Sequence, residues 1–274
     1  LIPVIALAGY QVLTASMYGR GLLLDATIYA SGVRKLIGFS AIGNLYTGLV
    51  FVGGTLFSVM LVSNGLWKRR TMGIFAAFIV VSMVVLHLFG GLGKTDFTVS
   101  GGTNWLLVFE LSVFAVAGLY LMALTLGEVR RSDGGASVLP FCWVMGTVFF
   151  AVFFNWSING RTLLPAAPAA AILLWRALDR SGVSPAKSYA GLAVALLVSL
   201  AVLAADTSLA NSTRLAARYM TDTYRERTGT LWFQGHWGFQ YYMEAGGAKP
   251  IDISNKQIWK NEIAVRPDNN TNLH

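Results

Sequence analysis

Residues 104–126 read NWLLVFELSVFAVAGLYLMALTL, 23 positions in which Glu110 is the single charge. An apolar stretch of about 20 residues is long enough to cross a bilayer as a helix. Here the apolar residues surround the helix rather than forming one stripe, as lipid and neighbouring helices require. Working outward, six similar runs follow from the positions of charges, Gly and Asn: 1–15, 45–66, 71–90, 138–156, 162–178 and 188–206. The sixth in chain order, 162–178, is short, and Pro165 and Pro168 interrupt it. Composition agrees: 55% of the 274 residues are hydrophobic and 12% charged, against roughly 25% charged in a soluble domain. This excludes a disordered chain and an ordinary soluble domain. The expectation is an all-α polytopic membrane bundle of about seven transmembrane helices over 1–206, followed by a polar tail over 207–274.

The cations orient this bundle. Lys68, Arg69 and Arg70, then Arg130 and Arg131, then Arg176, Arg180 and Lys187 place eight in three alternate connectors. The stretches 15–44, 91–103 and 157–161 hold five: Arg20, Arg34, Lys35, Lys94 and Arg161. Loops rich in Lys and Arg stay cytoplasmic, so the first set is expected inside and the tail outside. The net charge of +8 therefore reflects orienting clusters, and no nucleic-acid partner is expected. Cys142 is the one cysteine and lies in an apolar run, which leaves neither a disulfide framework nor a CxxC metal site. Leu1 opens directly on an apolar run, without Met or a basic n-region. The chain is expected to be the C-terminal portion of a longer protein.

Two outer stretches exceed simple turns. In 15–44, Leu22–Leu24, Ile28, Tyr29, Val33, Leu36 and Ile37 alternate with Arg20, Arg34 and Lys35, predicting one or two interfacial helices. The Gly-rich stretch GLGKTDFTVSGGT at 91–103 predicts a mobile loop. In the tail, 208–228 suits a helix, and Leu231–Phe233 reads as a short strand. A helix ending at Gly246-Gly247 follows, then strands near 250–253 and 262–265. Strand, helix, strand predicts a small extracytoplasmic α/β module.

Ionisable groups inside apolar runs are costly and therefore candidate sites. Glu110 lies near the start of its run and His87 near the end of 71–90, so one loop joins them. Either they line an outward-facing cavity, or they form an ordinary interhelical bond. Arg161 opens the sixth run within the stretch NWSINGRTLLPAAP, residues 155–168. A guanidinium near the positive end of a helix suits a phosphate, although snorkelling to lipid headgroups would explain it as well.

The segment Arg161-Thr-Leu-Leu-Pro165-Ala-Ala-Pro168 resembles the R-Y-L-L-P-x-x-P segment of the GT-C membrane glycosyltransferases. The nearest branch is glycosyltransferase family 39, with the protein O-mannosyltransferases and the lipid A aminoarabinose transferase. WFQGHWGFQYY at 232–242 resembles the extracytoplasmic tail of bacterial members. The resemblance implies an integral protein of the bacterial inner membrane and an inverting glycosyltransferase. The enzyme would move a sugar from a polyprenyl-phosphate carrier to a lipid or protein acceptor. It implies that Arg161 holds the carrier's phosphate and that 15–44 and 91–103 line the lipid and acceptor cavity. Arg34 or Lys35 is the expected helper at the phosphate, and Glu110, His87, Asn159 and Asp25 are the expected cavity residues. The family's catalytic acid, often an Asp-Glu pair in the first outer loop, has no counterpart here, since 15–44 carries Asp25 alone. The catalytic residue is thus expected upstream of Leu1. No residues are assigned to a metal, and divalent-ion participation stays open.

Two alternatives remain: a transporter or flippase of lipid-linked sugars using Glu110 and His87, and a non-catalytic membrane scaffold. Transporters tend to carry broken helices in matching positions. With one broken run, the enzyme is preferred.

Overall fold

The computed structural model describes residues 2–37, 41–89, 91–92, 95–99, 101–131, 135–224, 229–252 and 262–267. It divides into two compact units, Leu1–Ala195 and Leu196–His274.

In the first unit every apolar run becomes helical. The elements are α1 (Ile2–Tyr18), α2 (Leu22–Ile37), α3 (Ala41–Thr55), α4 (Phe57–Val62), α5 (Arg69–Phe89) and α6 (Trp105–Arg131). After α6 come α7 (Val138–Phe149), α8 (Gly160–Leu163), α9 (Ala167–Arg180) and the start of α10 (Pro185–Tyr224). Among the described residues three helices, α5, α6 and α10, are long and apolar enough to cross a membrane. The bent pair Ala41–Thr55 and Phe57–Leu66 makes a fourth if it counts as one span. Seven crossings are therefore met in part. The other helices are too short singly: α1 has 17 residues and α9 has 14, at or below the roughly 17–25 that a crossing takes. The surface is that of a membrane protein. Along α5 only Leu86 is buried, and Leu88 and Phe89 are 77% and 79% exposed. Apolar cover this extensive needs lipid or protein against it.

Helices α3 and α6 hold the bundle together through glycine. A Cβ on Gly53 would overlap the Phe114 carbonyl oxygen, and one on Gly118 would overlap that of Leu49. Without side chains there, the backbones approach closely enough for dispersion to drive the contact, as membrane helices require. Around the crossing, Val52, Val144, Ala151 and Leu163 are fully buried, as are Ala166, Ala169, Ala170 and Leu173 at the start of α9. A hydroxyl chain ties three helices. Tyr46 Oη and Ser82 Oγ lie 2.8 Å apart, Ser82 donates to Ser112 Oγ at 2.9 Å, and Ser112 donates to the Val108 carbonyl at 2.7 Å.

Residues 91–103 differ from the expected mobile loop. Their described part forms two antiparallel pairs, β1 (Gly91–Leu92) with β2 (Thr95–Asp96), and β3 (Thr98–Val99) with β4 (Gly102–Thr103). Phe97 between them is 1% exposed and packs with Leu86 and Val108. One buried ring anchors what the Gly content suggested was free. The 15–44 stretch contributes α2, whose first turn is capped from α1. Gln11 Oε1 accepts from the Leu23 and Leu24 N–H groups, and Thr14 Oγ1 from that of Leu22. These acceptors satisfy helix-end donors that lipid could not.

In the second unit, α10 continues to Tyr224, so the expected tail helix is not separate from the seventh run. Then follow β5 (Leu231–Phe233), α11 (Trp237–Ala245), β6 (Lys249–Pro250) and β7 (Ile263–Val265). The strands form a parallel sheet in the order β6-β5-β7. Ala217, Phe233, Phe239, Met243 and Ala248 are its core. Gly247, with φ +87°, ends α11 while Ala248 N–H donates to the Met243 carbonyl, a left-handed helix stop that suits glycine.

Candidate functional site

The site is built around two interruptions. Helix α7 widens into a π-helical turn over Phe150–Phe154, and an irregular loop leads to α8. Polar side chains in that loop hold its backbone. Asn155 Nδ2 donates to the Ser157 carbonyl at 2.7 Å, and Asn155 Oδ1 accepts from Trp156 N–H at 3.0 Å. Asn159 Oδ1 caps α8 by accepting from Thr162 N–H at 3.1 Å, while its Nδ2 donates to Ser157 Oγ at 3.1 Å. Asn159 is thus an N-cap, and its side chain organises the loop.

Helix α8 lasts one turn. A 3₁₀ turn over Leu164–Ala166 carries Pro165, and Pro168 falls in the first turn of α9. Each ring removes one donor and clashes with a continuous helix behind it, so the segment breaks where the sequence predicts. The second interruption lies on the facing helix. The bend of 64° after Thr55 separates α3 from α4, and Thr55 Oγ1 would stand 3.1 Å from a Cβ on Gly160. Gly160 immediately precedes Arg161, so Arg161 stands beside this bend. Thr55 is 14 residues beyond Ala41, about 21 Å along α3 at 1.5 Å per residue. Gly160, and with it the base of Arg161, is therefore beside the middle of the 45–66 run.

Arg161 is exposed and makes no hydrogen bond or ion pair among the described residues. Leu163, two residues on, is fully buried, so the guanidinium is held at a fixed base while its head stays available. Helix α2 reaches the same loop, where Tyr29 meets Trp156 edge-on at 6.1 Å. Asp25, at the start of α2, pairs with Arg20 at 3.2 Å. The side chains of Arg34 and Lys35 lie outside the described residues.

Glu110 and His87 are not joined. Glu110 is exposed on the side of α6 opposite the buried Val108 and Ser112. His87 Nδ1 lies 2.9 Å from Thr103 Oγ1, and its ring is tilted over that of Trp105 at 4.9 Å. Neither forms a hydrogen bond or ion pair with Arg161 among the described residues. Sequence reasoning missed a stronger pair, Arg180 Nη1 to Glu128 Oε1 at 2.9 Å, with the Glu128 side chain 2% exposed. Glu128 lies just past its apolar run and close to Arg130 and Arg131, so by position alone it resembles an interface charge. Arg176 also points inward, donating to the Ala136 carbonyl and Ser137 Oγ. No three His, Cys, Asp or Glu side chains cluster as metal ligands among the described residues. No family model, curated protein or solved structure matches the chain.

Proposed function

We propose that the chain belongs to a membrane glycosyltransferase that moves a sugar from a polyprenyl-phosphate carrier to a lipid or protein acceptor. One observation carries the reading: Arg161, in the family-like segment, is a cation with no partner among the described residues, based at a proline-broken helix beside a second broken helix. Acceptor attack on the anomeric carbon forms one bond, and the bond from that carbon to the carrier phosphate breaks with inversion. The electron pair and charge leave on the polyprenyl phosphate, and the acceptor's proton passes to a general base or to solvent. A planar guanidinium meets two phosphate oxygens at once, and a fixed cation in a dry site stabilises such a leaving group better than water would. Arg34 and Lys35 are proposed as helpers. In this reading the helices make seven crossings in all, and the tail lies on the extracytoplasmic side of a bacterial inner membrane.

A second reading gains weight from the bend at Thr55. Two interrupted helices facing each other are the arrangement of transporter binding sites, and the sequence displays one interruption where the fold has two. A flippase of lipid-linked sugars would use that arrangement without breaking a glycosidic bond. Proteoliposomes containing the protein expressed from its intact gene and a radiolabelled polyprenyl-phosphate sugar separate the two. Transfer predicts label in an acceptor with matching release of polyprenyl phosphate. Label that crosses the bilayer still attached to its carrier favours the flippase.

A further inference from the structure

At the end of the bundle where α5 begins and α6 ends, a cavity of about 490 Å³ opens between the two helices. Its mouth carries Lys68 and Arg131, and its wall continues along Ile74, Phe78 and Leu119. The two cations pair with no carboxylate among the described residues. Glu128, one turn before Arg131, is already engaged by Arg180. Near the mouth, Trp67, Phe75 and Tyr120 pack edge-on, with ring centroids 5.4–6.5 Å apart. Amphipathic aromatics of this kind sit at headgroup level. Along α5, Thr71 to Phe78 rises about 10 Å from the charged mouth into apolar wall. The opening is therefore graded: two cations, then an aromatic collar, then hydrocarbon.

We infer that this groove binds one anionic phospholipid, its phosphate against Lys68 and Arg131 and an acyl chain against α5 and α6. A small anion would be served by the cations without the apolar wall, and a neutral lipid by the wall without the cations. Basic pockets between membrane helices hold anionic headgroups for this reason. The site is separate from Arg161 and does not depend on the proposed sugar transfer.

The test uses the protein expressed from its intact gene, purified in a neutral detergent. Native mass spectrometry and thermal melting follow titration with phosphatidylglycerol, phosphatidylcholine and inorganic phosphate. Phosphatidylglycerol should bind and raise Tm, while phosphatidylcholine and phosphate should do neither. The double substitution Lys68→Gln, Arg131→Gln should weaken phosphatidylglycerol binding tenfold or more, with the lipid-free Tm unchanged because both side chains are exposed. Lys68→Arg is a second variant that should keep binding. Equal binding of phosphatidylcholine would overturn the inference, as would an equal response to phosphate. Undiminished phosphatidylglycerol binding by the double variant would also overturn it. If the double variant's lipid-free Tm falls, the Lys68→Arg result decides: lost phosphatidylglycerol binding there also contradicts the inference.

Discussion

Glu128 keeps one oxygen on Arg180, and its other, Oε2, is buried with no partner among the described residues. Removing Arg180 would leave a carboxylate without its cation. Breaking a buried pair costs about 3–5 kcal/mol, but the Arg180 side chain is 41% exposed, and water offsets part of that. A loss nearer about 2 kcal/mol is expected for Arg180→Ala. Glu128→Gln retains an acceptor for Arg180 and removes the buried charge, so it should cost less than about 1 kcal/mol. Thermal melting in detergent checks the order, and equal losses would show that the charge is not what matters. At the same scale, Asn159 caps a helix and Asp25 pairs with Arg20.

Helix crossing makes a sharper comparison, because α6 carries two glycines in different surroundings. A Cβ at Gly118 would strike the Leu49 backbone, whereas one at Gly127 meets nothing within 4 Å. Gly118→Ala should destabilise by about 1–3 kcal/mol through overpacking, and Gly127→Ala should be neutral or stabilise by up to about 1 kcal/mol through helix propensity. Their Tm values should move in opposite directions or differ clearly, and identical shifts would argue against the close crossing. Phe97→Ala should cost about 3 kcal/mol and raise amide exchange over 91–103, which a loop already mobile would not show. These elements also mark how far sequence reasoning reaches. Continuous apolarity makes a helix of each run whatever its neighbours do, and Pro165 and Pro168 announce their break through lost donors. The bend at Thr55 has no proline, only Gly53-Gly54 before it, and takes its meaning from α8 across the gap. Two-residue strands leave no alternation to detect, so the β pairs around Phe97 were hidden. Nothing between Leu203 and Tyr224 breaks a helix, and increasing polarity did not end α10.

For the whole molecule, composition already separated membrane from water, while the partners of individual charges depended on contacts between distant segments. Arg161 was found through its local motif, yet its neighbour Thr55 is over a hundred residues away. The eight-to-five distribution of cations is the basis for the proposed orientation, because loops rich in Lys and Arg stay cytoplasmic. Phosphatase fused at position 210 should be active and β-galactosidase there inactive, and the reverse would invert the orientation. The central claim is that Arg161 holds the carrier phosphate, and sugar transfer by Arg161 variants of the protein expressed from its intact gene tests it most directly. Arg161→Ala should abolish transfer to any acceptor with Tm nearly unchanged, and Arg161→Lys should restore part of it, since an ammonium offers a point charge in place of a planar fork. Full transfer by Arg161→Ala, or complete replacement by Lys, would contradict the claim.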